Sequence, residues 1–185
     1  MGKFTFHRTE IEGVMVVEPT VYGDERGWFM ETYNYEAFRE GGISNVFVQD
    51  NQSVSAKGVL RGLHFQWHYQ QAKLVRVLKG KVYDVAVDLR KGSGTWGKYV
   101  GVTLSGEDKR QFFIPKGFAH GFLVLSDEAE FAYKCDESYH PEDEGGVAWN
   151  DPIIGIKWPE VNVELNLSAK DTMYGSLERN NVICL

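Results

Sequence analysis

Leu74-Val-Arg-Val-Leu78, Lys79-Gly80 and Val82-Tyr-Asp-Val-Ala-Val-Asp-Leu89 read as strand, turn and strand, and this stretch decides the fold class. In the second arm Val82, Asp84, Ala86 and Asp88 alternate with Tyr83, Val85, Val87 and Leu89. That period of two belongs to a strand and sets two carboxylates on one face. With glycine in the turn, the two arms are expected to form a hairpin. Working outward, Tyr99-Val-Gly-Val-Thr-Leu104 and Gln111-Phe-Phe-Ile114 flank the polar tip Ser105–Arg110 as a second expected hairpin. Gly121-Phe-Leu-Val-Leu125 with Ala129-Glu-Phe-Ala-Tyr-Lys-Cys135 reads as a third.

Helix signals are few. Tyr35-Glu-Ala-Phe-Arg-Glu40, with Asn34 as N-cap and Gly41-Gly42 as stop, is the best short helix, and Ser168-Ala-Lys-Asp171 has the form of a capping box. Neither is expected to be a core element. The segment from Asp151-Pro152 to Trp158-Pro159 reads as an ordered return loop, and no repeat or linker divides the chain. Strands in series need closure or a second sheet. The expected architecture is therefore all-β, a double-sheet jelly roll with a few short helices, spanning residues 1–185 as one domain.

Composition sets the outer bounds. A chain of 185 residues that is 43% hydrophobic and 14% aromatic can bury a sizeable core. A formal net charge of −6 argues against a nucleic-acid backbone as partner, while a local Arg and Lys cluster still suits a small anionic ligand. Cys135 lies in an apolar run and Cys184 beside the C-terminus, so two reduced thiols, and a cytoplasmic setting, are the simpler expectation. No apolar run approaches the roughly 20 residues of a membrane helix. Met1-Gly-Lys-Phe-Thr-Phe lacks the apolar stretch of a secretory signal, so no membrane partner is expected.

Two histidines mark the chemistry. Gly58-Val-Leu-Arg61-Gly-Leu-His64-Phe-Gln66, followed by Lys73, is answered much later by Pro115-Lys-Gly117-Phe-Ala-His120-Gly-Phe122. Each imidazole sits on or beside an apolar run, where it needs a partner or a reaction. Two such halves suggest one enclosed site.

These motifs, with Asp24-Glu-Arg26-Gly27-Trp-Phe29, Gln49-Asp-Asn51-Gln-Ser53, Lys73-Leu-Val-Arg-Val77, Val85-Ala-Val-Asp88-Leu-Arg90 and Trp149-Asn-Asp151-Pro152, run in order from Asp24 to Asp171. In that order the chain resembles the dTDP-4-dehydrorhamnose 3,5-epimerases, cupin-type jelly rolls that act on a nucleotide sugar. The resemblance implies His64 as base, Asp171 as the carboxylate that orients it, Tyr133 as proton donor and Lys73 as the cation near the developing oxyanion. It further implies Arg26, Phe29, Glu31, Gln49, Asn51, Arg61, His120, Tyr139, Glu144 and Lys170 around a dTDP-sugar substrate, with no cofactor and no metal. A homodimer is implied too, in which an N-terminal segment exchanged with or packed against the partner brings Arg26 and Phe29 to the neighbouring subunit's site. The chemistry asks for such groups. A C4 ketone acidifies the protons on C3 and C5, so inversion needs a base on one face, an acid on the other and a charge for the enolate oxygen.

Plainer readings stand beside these. His120 is either a hydrogen-bonded pocket residue or a contact to the sugar, Tyr133 a core ring, Asp171 a carboxylate at a helix N-terminus and Lys73 a strand-edge charge. Arg26 and Glu31 also read as paired surface charges and Phe29 as a core ring. The segment between His64 and Lys73 varies within the family; His68 and Tyr69 there read as solvent-side, and Trp28, Trp67 and Trp96 carry no assignment. A metal-dependent cupin needs a His-x-His pair, but Gln66 stands two beyond His64, no carboxylate precedes Lys79-Gly80, and Val124 follows His120. A non-catalytic sugar-binding module has no need of His64, Asp171, Tyr133 and Lys73 together. Within the enzyme reading, a one-carbon epimerase or a 3,4-ketoisomerase is the nearest rival.

Overall fold

The computed structural model describes residues 3–177. Among them the chain forms β1 (Phe4–Arg8), β2 (Met15–Pro19), β3 (Val21–Asp24), β4 (Gly27–Met30), β5 (Gln49–Ala56), β6 (Leu60–Gln66) and β7 (Lys73–Lys79). It continues with β8 (Lys81–Asp88), β9 (Tyr99–Ser105), β10 (Gln111–Ile114), β11 (Phe118–Val124), β12 (Glu128–Cys135) and β13 (Glu144–Gly146). Helices α1 (Tyr35–Glu40) and α2 (Ala169–Met173) are short. A six-stranded sheet, β1-β2-β10-β7-β12-β5, faces a five-stranded one, β13-β6-β11-β8-β9, while β3 and β4 pair only with each other. This is the expected jelly roll.

The three expected hairpins do not form. β7 lies in the six-stranded sheet and β8 in the five-stranded one; β9 and β10, and β11 and β12, divide in the same way. Each turn is instead a corner that carries the chain across the sandwich. The corners nest at one end: Gly106 N–H donates to the Gly80 carbonyl (3.0 Å) and Lys81 N–H to Ser126 Oγ (2.8 Å). Gly80, at φ +79°, has no room for a side chain against the Glu128 carbonyl and Ser126 Oγ. Three packed corners close that end. The other end, where β7 begins and β12 finishes, is the mouth.

Parity along the strands then fixes what faces inward. Val75 and Val77 of β7, Val82 and Ala86 of β8, Phe118 and Phe122 of β11 and Phe131 of β12 form the core between the sheets. The alternate residues Val85, Val87, Leu63 and Phe65 pack outward, under a cover that includes Ile154, Trp158 and Leu177. The return segment is thus ordered, with Asp151 accepting N–H bonds from Ile153, Ile154 and Leu177 (2.7 to 3.0 Å).

Helix α1 forms as read, with Asn34 Oδ1 accepting the Ala37 N–H (3.1 Å). It is a core element after all. Phe38 is fully buried, edge-on to Phe4 and Tyr33, and seals the outer face of the six-stranded sheet. Cys135 is a buried free thiol, and Cys184 lies outside the described residues. Among the described residues no helix is long and apolar enough to cross a membrane.

Candidate active site

The two histidine motifs meet as neighbouring strands. β6 and β11 run antiparallel with His64 directly opposite His120. Cross-strand partners share a face, and here it is the inner one. The approach is close because Gly62, at φ +113°, has no side chain; a Cβ there would lie 2.6 Å from both Gly121 Cα and the His120 carbonyl oxygen. Facing this pair across the sandwich, Lys73 begins β7 and Tyr133 lies on β12, both on the inward parity of Val75 and Phe131. His64, His120, Lys73, Tyr133, Arg61 and Asn51 line one cavity of about 280 Å³.

His64 sits between two carboxylates. Its Nε2 is 2.5 Å from Asp171 Oδ1, and its Nδ1 is 4.0 Å from Glu144 Oε1. Asp171 arrives on α2, whose N-cap Ser168 accepts the Asp171 N–H (3.1 Å), so the cap that starts the helix also aims its carboxylate. Burial pushes the Asp171 carboxyl up, but its bond to His64 outweighs this and holds it below the usual range. An ionised Asp171 accepts, so Nε2 carries the proton of that bond and Nδ1 is the ring nitrogen left to act as a base. Tyr174 packs edge-on against the imidazole at 5.7 Å.

The other groups of the cavity come from both sheets. Burial lowers the Lys73 ammonium from its ordinary value, against the pull of Asp84 and Glu144, and Lys73 forms no ion pair among the described residues. Its strand lies between β10 and β12, so Lys73 is not a strand-edge charge. Burial raises the Tyr133 phenol, which stays protonated through neutral pH. His120 Nε2 reaches both oxygens of Asp84 (3.0 and 3.1 Å), and both residues are buried. Desolvation raises the Asp84 carboxyl and lowers the His120 imidazole.

Around the mouth, Gln49 links two strands' worth of contacts. It donates to Asn51 Oδ1 (2.9 Å) and accepts the Tyr139 N–H (2.8 Å). Tyr139 donates to Glu144 Oε2 (2.5 Å), and Lys170 Nζ donates to Glu144 Oε1 (2.6 Å). The Glu144 bond pushes the Tyr139 phenol up to about 12. Arg61 is held by Ser55 Oγ through Nε (3.3 Å) and a terminal nitrogen (3.1 Å).

Three candidates stand apart. Arg26 and Phe29 are on the exposed β3–β4 hairpin, Arg26 bonded to its own Asp24 (2.6 Å) and Phe29 69% exposed. Glu31 pairs with Lys3 (2.8 Å) and accepts from Asn34. None of the three lines the cavity of its own chain. Asp84 and Tyr174 are site neighbours that the sequence reading did not single out. The period of two sets Asp84 and Asp88 on one face without saying which; nothing local points to Tyr174. His68 is solvent-side, though its Nδ1 reaches Asp143 (2.6 Å). Among the described residues, no three His, Cys, Asp or Glu side chains gather as metal ligands.

A jelly roll whose mouth holds an imidazole–carboxylate pair facing a phenol and an ammonium belongs to the cupin-like carbohydrate isomerases. Residues 8–179 match the dTDP-4-dehydrorhamnose 3,5-epimerase family. The chain belongs to that family. A relative of that name from Methanothermobacter thermautotrophicus is 55% identical over 183 residues, covering 98% of this chain and 99% of the relative. The crystal structure of a dTDP-6-deoxy-D-glucose-3,5-epimerase from Legionella pneumophila, in complex with dTDP-4-keto-L-rhamnose, superposes with a TM-score of 0.94 at 50% identity, covering 98% of this chain and 97% of that one. A 3'-monoepimerase from Streptomyces bikiniensis, in complex with dTDP-quinovose, gives 0.88 at 34% identity, covering 96% and 91%.

Proposed function

We propose that the chain inverts C3 and C5 of dTDP-4-dehydro-6-deoxy-D-glucose, giving dTDP-4-dehydro-L-rhamnose. One observation carries the reading: His64 and Tyr133 project from facing sheets into one cavity. Inversion needs a proton removed from one face of a carbon and another delivered to the opposite face. At each carbon in turn, His64 Nδ1 takes the proton α to the ketone and the electron pair moves onto O4. The imidazolium so formed is stabilised by Asp171 at 2.5 Å. Lys73, desolvated and without a carboxylate of its own, offsets the enolate charge, an interaction strongest in the transition state. Tyr133 then gives its phenolic proton to the other face, and before the second carbon solvent takes the proton from His64 and returns one to Tyr133. Asp84 holds the His120 ring toward the sugar.

Gln49, Asn51, Arg61, Tyr139, Glu144 and Lys170 serve the substrate from the mouth. Arg26, Phe29 and Glu31 complete the site of a second copy in a homodimer, which accounts for their distance from their own cavity. One jelly-roll domain over residues 1–185, in the cytoplasm, carries this activity.

The test is proton NMR of the 4-keto-6-deoxy nucleotide sugar with chelator-treated protein in deuterated water. Deuterium entering at both C3 and C5 supports double epimerisation. Label at one carbon alone moves the chain toward the monoepimerase it also resembles. No label, with the ligand bound, turns the reading to ketoisomerisation or simple binding.

A further inference from the structure

Gln66 ends β6 two residues beyond His64 and is 3% exposed, a buried amide on the site's own face. All of its hydrogen bonds go to backbone on two different segments. Nε2 donates to the carbonyls of Tyr69 (2.5 Å) and Ser138 (3.1 Å), and Oε1 accepts the His140 N–H (2.7 Å). Two carbonyls on one side and an N–H on the other fix the amide's orientation, since the flipped form would set oxygen against oxygen. The residue between Ser138 and His140 is Tyr139, whose own N–H is taken by Gln49. Three consecutive residues are thus pinned, leaving the Tyr139 ring half-exposed at the mouth with its hydroxyl on Glu144. Gln66 also lies directly opposite Glu144 in the β6–β13 ladder.

The second segment, 67–71, is bound to 137–143 by further contacts. Asp143 Oδ2 accepts the N–H groups of His68 and Tyr69 (2.8 Å each), the Tyr69 ring stacks on His140 at 4.0 Å, and Gln71 donates to the Glu137 carbonyl (2.9 Å). Gln66 is the side chain that reaches both backbones from inside the site.

We infer that Gln66 is a positioning residue for nucleotide recognition, holding the Tyr139 ring and the Glu144 carboxylate at the mouth without touching the reacting carbons. This rests on the dTDP-sugar reading above. Buried Gln111 is the control: it is 2% exposed and its Nε2 donates to the Thr32 carbonyl (2.8 Å), away from the cavity. Gln66→Met keeps the shape and removes all three bonds. It should raise KM and the Kd for dTDP about tenfold, the scale of one misplaced aromatic stack, with kcat within about threefold of wild type. Gln111→Met should lower the melting temperature and leave both constants alone. The Gln66→Met effect on Kd should also vanish in a Tyr139→Ala background.

Should Gln66→Met not fold, Gln66→Glu keeps the acceptor facing His140 and turns the donor into an oxygen facing two carbonyls, and carries the same test. Unchanged KM and Kd with only a lower melting temperature overturns the inference, as does an effect that persists undiminished without the Tyr139 ring. Wild-type protein that fails to bind dTDP overturns the functional reading instead, so the two failures are separable.

Discussion

Asp24-Glu-Arg26 and Asp88-Leu-Arg90 make the same local bonds in opposite surroundings. In each, the aspartate accepts the arginine's backbone N–H at 2.9 Å and its guanidinium through Nε and a terminal nitrogen. Asp24 sits on the β3–β4 hairpin with its side chain 51% exposed; Asp88 ends β8 with its side chain fully buried and takes two further bonds from Ser93 and Thr95 (2.6 Å each). Spacing sets the local contact, and burial sets what the contact is worth. The same division runs through the whole molecule. The sandwich places the groups of its cavity by strand parity, whereas the hairpin presents Arg26 and Phe29 outward, away from that cavity.

The sharpest way to break this division is at the group placed most firmly by the sandwich. His64→Ala removes the proposed base and should lower deuterium exchange at C3 and C5 by roughly 10³-fold or more, near the upper range for a general base. The Kd for dTDP should stay near wild type, because the residues proposed for the nucleotide lie at the mouth. Single-turnover exchange at a wild-type rate in this variant would take His64 out of the mechanism.

Much of this was legible in the sequence. The alternation over Val82–Leu89 put Asp84 and Ala86 on one face, and Asn34, Gly41 and Ser168 marked both helix boundaries through local bonds that a short window contains. What failed was the assignment of neighbours. A Lys-Gly turn between apolar runs signals a reversal but not whether the next strand pairs beside the last or crosses the sandwich, so all three corners carry the local signature of hairpins. Pairing depends on packing among Gly80, Gly106 and Ser126, which lie far apart in sequence. The His64–Asp171 pair, 107 residues apart, was reached only through family resemblance. Tyr174 next to it was not reached at all.

Of the twin aspartates, the buried one should show in stability. Burial raises the Asp88 carboxyl, but Arg90, Ser93 and Thr95 outweigh it and set it at about 2, against an ordinary value of 3.8. Such a depressed group stabilises the fold above its unfolded value and loses that contribution as pH falls through its folded one. Stability should therefore drop between about pH 4 and pH 2 by roughly 2 kcal/mol, and Asp88→Asn should remove a similar amount at neutral pH. Urea titrations of both proteins across that range check this. Equal acid sensitivity in the two would mean that Asp88 is not the group responsible.

Asp24 should do almost nothing for stability. Its carboxyl is also held low by Arg26, but the pair is solvated, and an exposed ion pair is screened and entropically costly to order. Asp24→Asn should leave the urea midpoint within error of wild type. If the hairpin serves a second copy, what Asp24 contributes is the presentation of Arg26, and the effect belongs in KM rather than in unfolding. Arg26→Ala should then raise KM about tenfold with little change in kcat, the loss expected for one substrate-binding charge, and Asp24→Asn should raise it by less. A fall in stability on Asp24→Asn as large as that on Asp88→Asn would break the comparison, since it would give a solvated pair the worth of a buried one. An unchanged KM in Arg26→Ala would leave the hairpin without a role in the neighbouring site. The two substitutions thus separate folding from recognition on a hairpin whose strands, among the described residues, pair only with each other.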